Sequence, residues 1–510
     1  MAIVEALPAA PGGQRRLGLR SPATLESLGE IAVATAGDVR AAVEQARKAQ
    51  VAWAEAGFDE RARCLRRAGR VLLARRDEFA AAIAAETGKP AVEILGSELV
   101  PACDALEYWA KRAKRVLADR NVPLHLLKSK KLRIVYKPLG VIGIVTPWNF
   151  PFLLVLNPTV QALAAGNAVV LKPSEVTPRA GRLVEELFRD AGLPDGLVGC
   201  VLGDGETGAA LIEAGVDKIS FTGSVATGRR VAEACGRALV PCTLELGGKD
   251  PMIVCADADL ERAAAGAVFG AFANAGQICV STERVYVVDA VADEFLRRVV
   301  EKTAALRQGS GGEADVGPLI HAPQLAIVER HVADAVARGA RVLAGGRRNP
   351  RYEGLYYEPT VLTDVTHDML VMREESFGPL LPVLRVRDEA EALRLANDSR
   401  YGLSASIWTR DKRRGVELAR SIESGSAVVN DCLIAYGIAE SPFGGVKESG
   451  LGRVNGDLGL RSQCQVQSIV VDRFGGKAEW AWFPYSRAKA RALERMMRFI
   501  WGTPLGRWLS

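Results

Sequence analysis

Residues 140–175 read "GVIGIVTPWNFPFLLVLNPTVQALAAGNAVVLKPSE". "GVIGIVTP" and "AVVLKPS" are continuous apolar strands, and a helical segment fills the interval around 151–165. A strand–helix–strand unit of this length closes right-handed, with its two strands parallel. Strands that are apolar on both sides belong to a sheet covered on both faces. The alternation continues through "LVGCVLG" (197–203), "DKISFTG" (217–223) and "LVPCTLELGG" (239–248), with helices predicted around 178–191, 207–214 and 225–237. The fold class is therefore α/β, built on a parallel sheet.

Such a sheet predicts a Rossmann-like nucleotide domain. Upstream, residues 38–118 carry apolar residues near a 3.6 period and read as helices, followed by an alternating, β-like stretch, "HLLKSKKLRIVYKPLGVIGIV" (125–145). Downstream, a second α/β region is expected, with helices at 257–273, 290–306, 322–338 and 387–397. Its strands are expected near 284–288, 341–345, 381–386 and 404–408. A last strand is predicted in "SQCQVQSIVVDR" (462–473). At 510 residues the chain is too long for one core.

Composition narrows the chemistry. The nine cysteines are widely spaced, without C-x-x-C, and the four histidines are isolated, so neither a disulfide framework nor a metal site is expected. Net charge is +6, but residues 474–510 hold seven Lys or Arg against two Glu. The remaining body is nearly neutral and predicts no nucleic-acid partner. No run reaches the roughly 18 apolar residues of a spanning helix. The opening "MAIVEALPAA" carries Glu5 and no basic leader, so a cytoplasmic location is expected.

Three segments bear on a dinucleotide. "GDGETG" (203–208) is a literal G-x-G-x-x-G, but the next strand ends in Phe221, Thr222 and Gly223 rather than in an acid. A glycine-rich turn entering a helix explains it equally well. "FTGSVATG" (221–228) joins a strand to a helix whose N-terminus can hold a phosphate, with Gly223 allowing close approach and Ser224 able to cap. In "LKPSE" (171–175), Lys172 could hold ribose hydroxyls. Glu175 could accept from an adenosine 2′-hydroxyl and repel a 2′-phosphate, or could merely complement a helix dipole.

Four further segments carry the decision: "TPWNFP" (146–151), "LELGGKDP" (244–251), "NAGQICVSTE" (274–283) and "EESFGPLLPV" (374–383). With "KPSE", "FTGS" and "PFGGVKESGLGR" (442–453), the set resembles the aldehyde dehydrogenase superfamily, non-acylating type, in order from about residue 20 to about 473. The chemistry asks for such residues. A thiol, Cys279, can attack an aldehyde carbonyl; preorganised donors, the Asn149 amide and the Cys279 N–H, can hold the oxyanion; a base, Glu245, can activate water on the resulting thioester. The resemblance assigns those roles to these three positions. It places Trp148, Lys172, Ser174, Glu175, Gly223 and Ser224 along the dinucleotide, with Glu375 and Phe377 at its nicotinamide end, and implies NAD with NADP possible. Glutamate at 245 favours release of a free acid. Acyl transfer to coenzyme A and a non-catalytic binding protein on the same fold are the alternatives.

By the same resemblance, Phe150, Leu154, Ile278, Val280 and Phe443 line the substrate side. Asn157 and Gly437 stand where relatives carry aromatics, so a relatively open, apolar tunnel for an aliphatic or aromatic aldehyde is expected. The implied parts are a cofactor domain at 20–119 and 139–246, a catalytic domain at 247–461, and an oligomerisation arm at 120–138 with 462–473 serving a homodimer or homotetramer. A basic extension follows at 474–510. There Leu493, Met496, Met497 and Ile500 form one helical stripe, and four of the eight tryptophans, 480, 482, 501 and 508, fall in this tail. Either peripheral membrane contact through 480–510 or packing on protein would use such a helix.

Overall fold

The computed structural model describes residues 2–8, 13–476 and 478–509; the side chains at 506, 508 and 509 lie outside that description, so the expectation for Trp508 does too. Two compact units emerge, one of residues 1–116 with 138–463 and one of residues 117–137 with 464–510.

The larger unit opens with an antiparallel sheet that the sequence pattern did not reveal: β1 (Val4–Leu7), β2 (Arg16–Arg20) and β3 (Ser27–Ala32). The helices α1 (Ala36–Glu55), α2 (Gly57–Ala74), α3 (Arg76–Thr87), α4 (Ala91–Ile94) and α5 (Val100–Val116) follow. Thr35 starts α1 with a capping box: its hydroxyl takes the Asp38 N–H, and the Asp38 carboxylate takes the Thr35 N–H. A π-helical turn, Leu95–Leu99, interrupts the path from α4 to α5.

The expected parallel sheet contains β6 (Val141–Val145), β7 (Ala168–Lys172), β8 (Val198–Cys200), β9 (Lys218–Thr222) and β10 (Cys242–Glu245), closed by the short antiparallel β18 (Gly450–Leu451). Its order is β18-β10-β9-β6-β7-β8. Strands β6 and β7 are buried along nearly their whole length, as their unbroken apolar runs require. Connections run through α6 (Leu153–Ala165), α7 (Pro178–Asp190), α8 (Gly205–Glu213) and α9 (Val225–Ala238). From β6 the chain moves one way to β7 and β8, then returns to β9 on the other side. That reversal between β6 and β9 is the switch point where open sheets bind ligands.

A second sheet runs β13-β14-β15-β12-β11-β16-β17. It comprises β11 (Asp250–Val254), β12 (Thr282–Val288), β13 (Arg341–Ala344), β14 (Thr360–Thr363), β15 (Leu380–Val386), β16 (Ser406–Trp408) and β17 (Val428–Val429), all parallel except β13. Helices α10 (Leu260–Phe272), α11 (Asp289–Ala304), α12 (Ala322–Ala337), α13 (Leu370–Arg373), α14 (Glu389–Asn397), α15 (Lys412–Ser421) and α16 (Gly456–Arg461) complete the larger unit. The chain crosses from the first sheet to the second in only four residues, 246–249, between Glu245 and Asp250.

The smaller unit pairs β4 (Arg120–Val122) and β19 (Cys464–Asp472) on either side of β5 (Lys130–Pro138). It ends in α17 (Arg487–Gly502), capped by the Ser486 hydroxyl, and α18 (Pro504–Leu509). None of the residues of α17 is buried. No described helix is long and apolar enough to cross a membrane.

Candidate active site

The carboxyl ends of the first sheet bring most of the expected site residues to one edge. Thr146 to Asn149 follow β6, Lys172 to Glu175 follow β7, Gly223 and Ser224 follow β9, and Glu245 ends β10. The Gly223 N–H donates to the Glu245 carbonyl at 3.0 Å, tying two of these ends together.

A crevice of about 430 Å³ lies at the switch point. Lys172, Glu175, Gly223, Ser224, Gly205 and Gly208 line it, together with apolar residues of α8 and α9. Lys172 is buried and its ammonium sits 3.2 Å from Glu175. Ser224 caps α9 by accepting from the Thr227 N–H, which leaves the positive end of that helix facing the crevice. Ser174 is turned inward, its hydroxyl accepting from Val176 N–H. An apolar slot, a helix N-terminus, a cation and an acceptor carboxylate match the adenine, phosphate and ribose parts of a dinucleotide. "GDGETG" resolves in part: Asp204 caps α8, while Gly205 and Gly208 form crevice wall.

The nucleophile candidate sits between the second sheet and this edge. Cys279 follows a tight turn in which Asn274, Ala275 and Gly276 all have positive φ (51°, 52° and 72°). Only glycine suits the last, because a Cβ there would lie 2.1 Å from the Gly378 carbonyl. Asn274 donates through Nδ2 to the carbonyls of Asn149 and Gln277, both at 3.1 Å. Gln277 donates to the Asn274 and Pro318 carbonyls and accepts from Ile320 N–H. Neither residue was singled out from sequence, although both lie inside the quoted motif; side-chain amides in so short a turn are the signal that could have found them.

Asn149 is buried, and its Nδ2 donates to the Gln277 carbonyl at 3.0 Å. An amide nitrogen has two hydrogens, so one is left for a ligand. Its Oδ1 has no partner. Glu245 is also buried, and neither carboxylate oxygen has a hydrogen-bond partner. Burial raises its pKa well above the ordinary range, with Arg453 opposing. Its charge, with those of Asp250 and Glu375, adds to burial in raising the Cys279 thiol. The backbone comes close here: a Cβ on Gly248 would lie 2.5 Å from the Cys279 carbonyl, and one on Gly247 would lie 2.2 Å from Glu375 Oε2.

Glu375 accepts from Gly248 N–H at 3.1 Å and is pushed up to about 8, first by burial and then by Glu283. Phe377 holds a positive φ of 46° and meets the Trp148 ring edge-on at 5.4 Å. Glu283 secures that segment by accepting from the Ser376 and Phe377 N–H groups, while Lys249, fully buried, pairs with it at 2.6 Å. Lys249 is thus a structural residue.

Ile278, Val280 and Phe443 gather in one apolar cluster around Cys279, with Leu403, Ala435 and Val454. Phe150 and Leu154 lie outside it: the Phe150 ring stands under the Lys89 ammonium, and Leu154 is buried in α6. The open tunnel expected from Asn157 and Gly437 is narrower than that reading. A Cβ on Gly437 would meet nothing within 4 Å, but Tyr436 beside it packs edge-on against Phe443 at 5.1 Å. Asn157 donates to the Tyr436 hydroxyl (3.2 Å) and to Asn455 Oδ1 (2.8 Å), and all three line one recess. Counting aromatics at fixed offsets from a motif overlooked this tyrosine, one residue away. No group of His, Cys, Asp and Glu suited to a metal occurs among the described residues.

The chain is similar to known proteins along most of its length. The sequence matches the aldehyde dehydrogenase family over residues 10–469. It is 43% identical to a 4,4′-diapolycopene aldehyde oxidase of Methylomonas, covering 94% of this chain and 91% of that one. A glutarate-semialdehyde dehydrogenase of Pseudomonas putida is 38% identical, over 88% of this chain and 93% of that one. Among solved structures, a Mycobacterium tuberculosis aldehyde dehydrogenase complexed with NAD+ superposes with a TM-score of 0.86 at 36% identity, over 90% of this chain and 95% of that one.

Proposed function

Because this chain belongs to the aldehyde dehydrogenase family and so oxidises an aldehyde to its carboxylic acid with NAD or NADP, we propose which of its residues carry the reaction and which aldehydes it takes. Cys279 is the nucleophile: its thiol loses its proton to solvent, the thiolate sulfur bonds to the carbonyl carbon, and the displaced electron pair becomes an oxyanion on the carbonyl oxygen. The free N–H of the Asn149 amide and the Cys279 backbone N–H stabilise that charge. A dinucleotide held by Lys172, Glu175, Gly223, Ser224 and Glu375 would supply the hydride acceptor, and loss of hydride from the same carbon would leave a thioester on Cys279. Glu245 then takes a proton from water, the water oxygen bonds to the acyl carbon, and the carbon–sulfur bond breaks to free the acid and the thiolate. The observation that carries this assignment is the pair of unpartnered Glu245 oxygens, buried within electrostatic reach of a half-buried thiol. A structural carboxylate would have been given partners.

The proposed substrate is a neutral, apolar aldehyde. Ile278, Val280, Leu403, Phe443 and Tyr436 surround the thiol. Beyond them Pro101, Ala105, Leu153 and Asn157 line the recess, where among the described residues Asp104 is the only charged one in the lining. A carboxylate-ended semialdehyde would lose hydration there without gaining a cation. The name of the Methylomonas relative points the same way, that of the Pseudomonas relative the opposite way. Each buried methylene contributes about 0.8 kcal/mol, roughly a fourfold gain per carbon. Kinetics over straight-chain aldehydes, benzaldehyde and succinate semialdehyde, with NAD and with NADP, test the reading. kcat/KM is expected to climb with chain length, to be lowest for the semialdehyde and, given Glu175, to be higher with NAD. A preference for the semialdehyde refutes it.

We further assign the exposed strand β19 to contact with another copy of the chain. Val466, Val470 and Val471 are each at least half exposed, and an apolar edge strand of this length invites sheet extension. The tail supports peripheral membrane contact. Leu493, Met496, Met497, Trp480 and Trp482 are exposed, and Arg487, Arg491, Arg495 and Arg498 occupy the other faces of the helix. The full chain is expected to co-sediment with anionic vesicles and a full-length Leu493→Asp/Met497→Asp variant to remain in solution. Equal sedimentation of the two removes this part.

A further inference from the structure

A buried ion pair takes no part in the reaction just described. Lys89 and Glu98 are 2% and 0% exposed, and Lys89 Nζ stands 2.7 Å from Glu98 Oε1. Desolvating two such charges costs several kcal/mol each, which a lone pair in the interior does not recover unless its other valences are satisfied. Here those valences go to the loop that carries Asn149. The Lys89 ammonium lies 4.0 Å from the Phe150 ring centroid. Glu98 Oε2 accepts from the N–H groups of Phe152 (3.1 Å) and Leu153 (2.9 Å), where α6 begins and has no acceptors of its own.

Glu93, in α4, holds the other loop. Its carboxylate accepts from the Asn274 N–H at 2.5 Å, in the turn that leads to Cys279. Asn274 in turn bonds the Asn149 carbonyl and shares the Gln277 carbonyl with Asn149 Nδ2. The local backbone explains how one short segment reaches both loops. In a regular α-helix, side chains five residues apart point about 140° away from each other. The π-helical turn at Leu95–Leu99, where the Val100 N–H reaches back to the Leu95 carbonyl, brings positions 93 and 98 back toward one side. Such turns are rare and concentrate at functional sites.

We propose that Lys89 and Glu98, with Glu93, form a clamp that fixes the Asn149 amide relative to Cys279. They are positioning residues for the oxyanion donor. The inference rests on the reading of Asn149 as that donor. It goes beyond that reading in assigning donor geometry to a charge pair outside the loops that carry Asn149 and Cys279.

The test separates oxyanion chemistry from thiol accessibility. Alkylation of Cys279 by iodoacetamide forms no oxyanion; acylation by p-nitrophenyl acetate does. Both rates are measured at Cys279 by mass spectrometry in the full-length enzyme, alongside melting temperature and NAD binding. In Glu98→Gln, acylation and aldehyde turnover are expected to fall about tenfold or more, with alkylation within about twofold of wild type. Lys89→Met/Glu98→Gln removes both charges of the pair, so neither is left buried without the other, and is expected to show the same split, guarding against a variant that merely misfolds. Adding Glu98→Gln to Asn149→Ala is expected to cost little more than Asn149→Ala alone, because the two act through one group. Parallel loss of alkylation and acylation, or additive losses, overturns the clamp. Acylation unchanged in Glu98→Gln but impaired in Asn149→Ala also overturns it. Acylation unchanged in Asn149→Ala overturns the oxyanion assignment itself.

Discussion

Cys279→Ala is expected to reduce aldehyde-dependent NADH formation by a factor on the order of 10⁴ to 10⁶, the scale seen when a covalent nucleophile is deleted. The removed sulfur is half-buried in an apolar cluster, where an alanine methyl is equally at home. Dinucleotide binding and melting temperature should therefore stay close to wild type. Denaturing mass spectrometry of wild type, quenched during turnover, should show the acyl mass on the peptide containing Cys279, and the variant should show none. The pH dependence follows from the thiol's surroundings. Burial, Asp250, Glu375 and Glu245 all raise its pKa, so at neutral pH the resting form is the protonated thiol. In the absence of cofactor, alkylation at Cys279 should accelerate with each pH unit through the neutral range, following the thiolate fraction. A variant that retains turnover, or a rate that is flat in pH, contradicts the assignment.

Glu245→Gln is expected to separate the two halves of the reaction. Loss of a general base typically costs 10²- to 10⁴-fold, and here the cost falls on hydrolysis of the thioester. Rapid mixing should show a burst of about one NADH per active site followed by a slow steady rate, with the acyl group accumulating on Cys279. Loss of the burst along with the steady rate would place Glu245 before hydride transfer. The same substitution has a stability signature of definite sign. The folded-state pKa of Glu245 is raised above its unfolded value. Its neutral form is the one the fold favours, so stability is highest below the unfolded pKa and declines as pH rises toward the folded one. Glutamine cannot ionise. The variant should thus melt at a higher temperature than wild type in neutral and mildly alkaline buffer, with the gap closing in acid.

The particular elements show why some of this was legible in the chain alone. Strands β6 and β7 announce themselves through unbroken apolar runs, because a strand between two helical layers has no solvent face to mark with polar residues. The residues at their ends, Asn149, Lys172 and Glu175, are read from the same short stretches, since the end of a parallel strand is where a ligand can reach the backbone. Helix α9 and its Ser224 cap are local in the same sense. The antiparallel sheet of β1 to β3 escaped notice because its strands are short and pair across loops whose composition carries no strong turn signal. Tyr436 escaped because its role depends on Asn157, which is 279 residues away along the chain.

What the sequence by itself determined was the alternation of strands and helices from β6 to β10, the family and the types of residue able to do the chemistry, all of which are written in local periodicity and contiguous motifs. Tertiary structure alone decided which buried charges neutralise one another: Lys89 with Glu98 rather than with Glu93, Lys249 with Glu283, and Glu245 with no hydrogen-bond partner. Coulomb energies depend on distance and on the dielectric of the surroundings. Both are set only when two sheets and a π-helical turn meet around one sulfur atom.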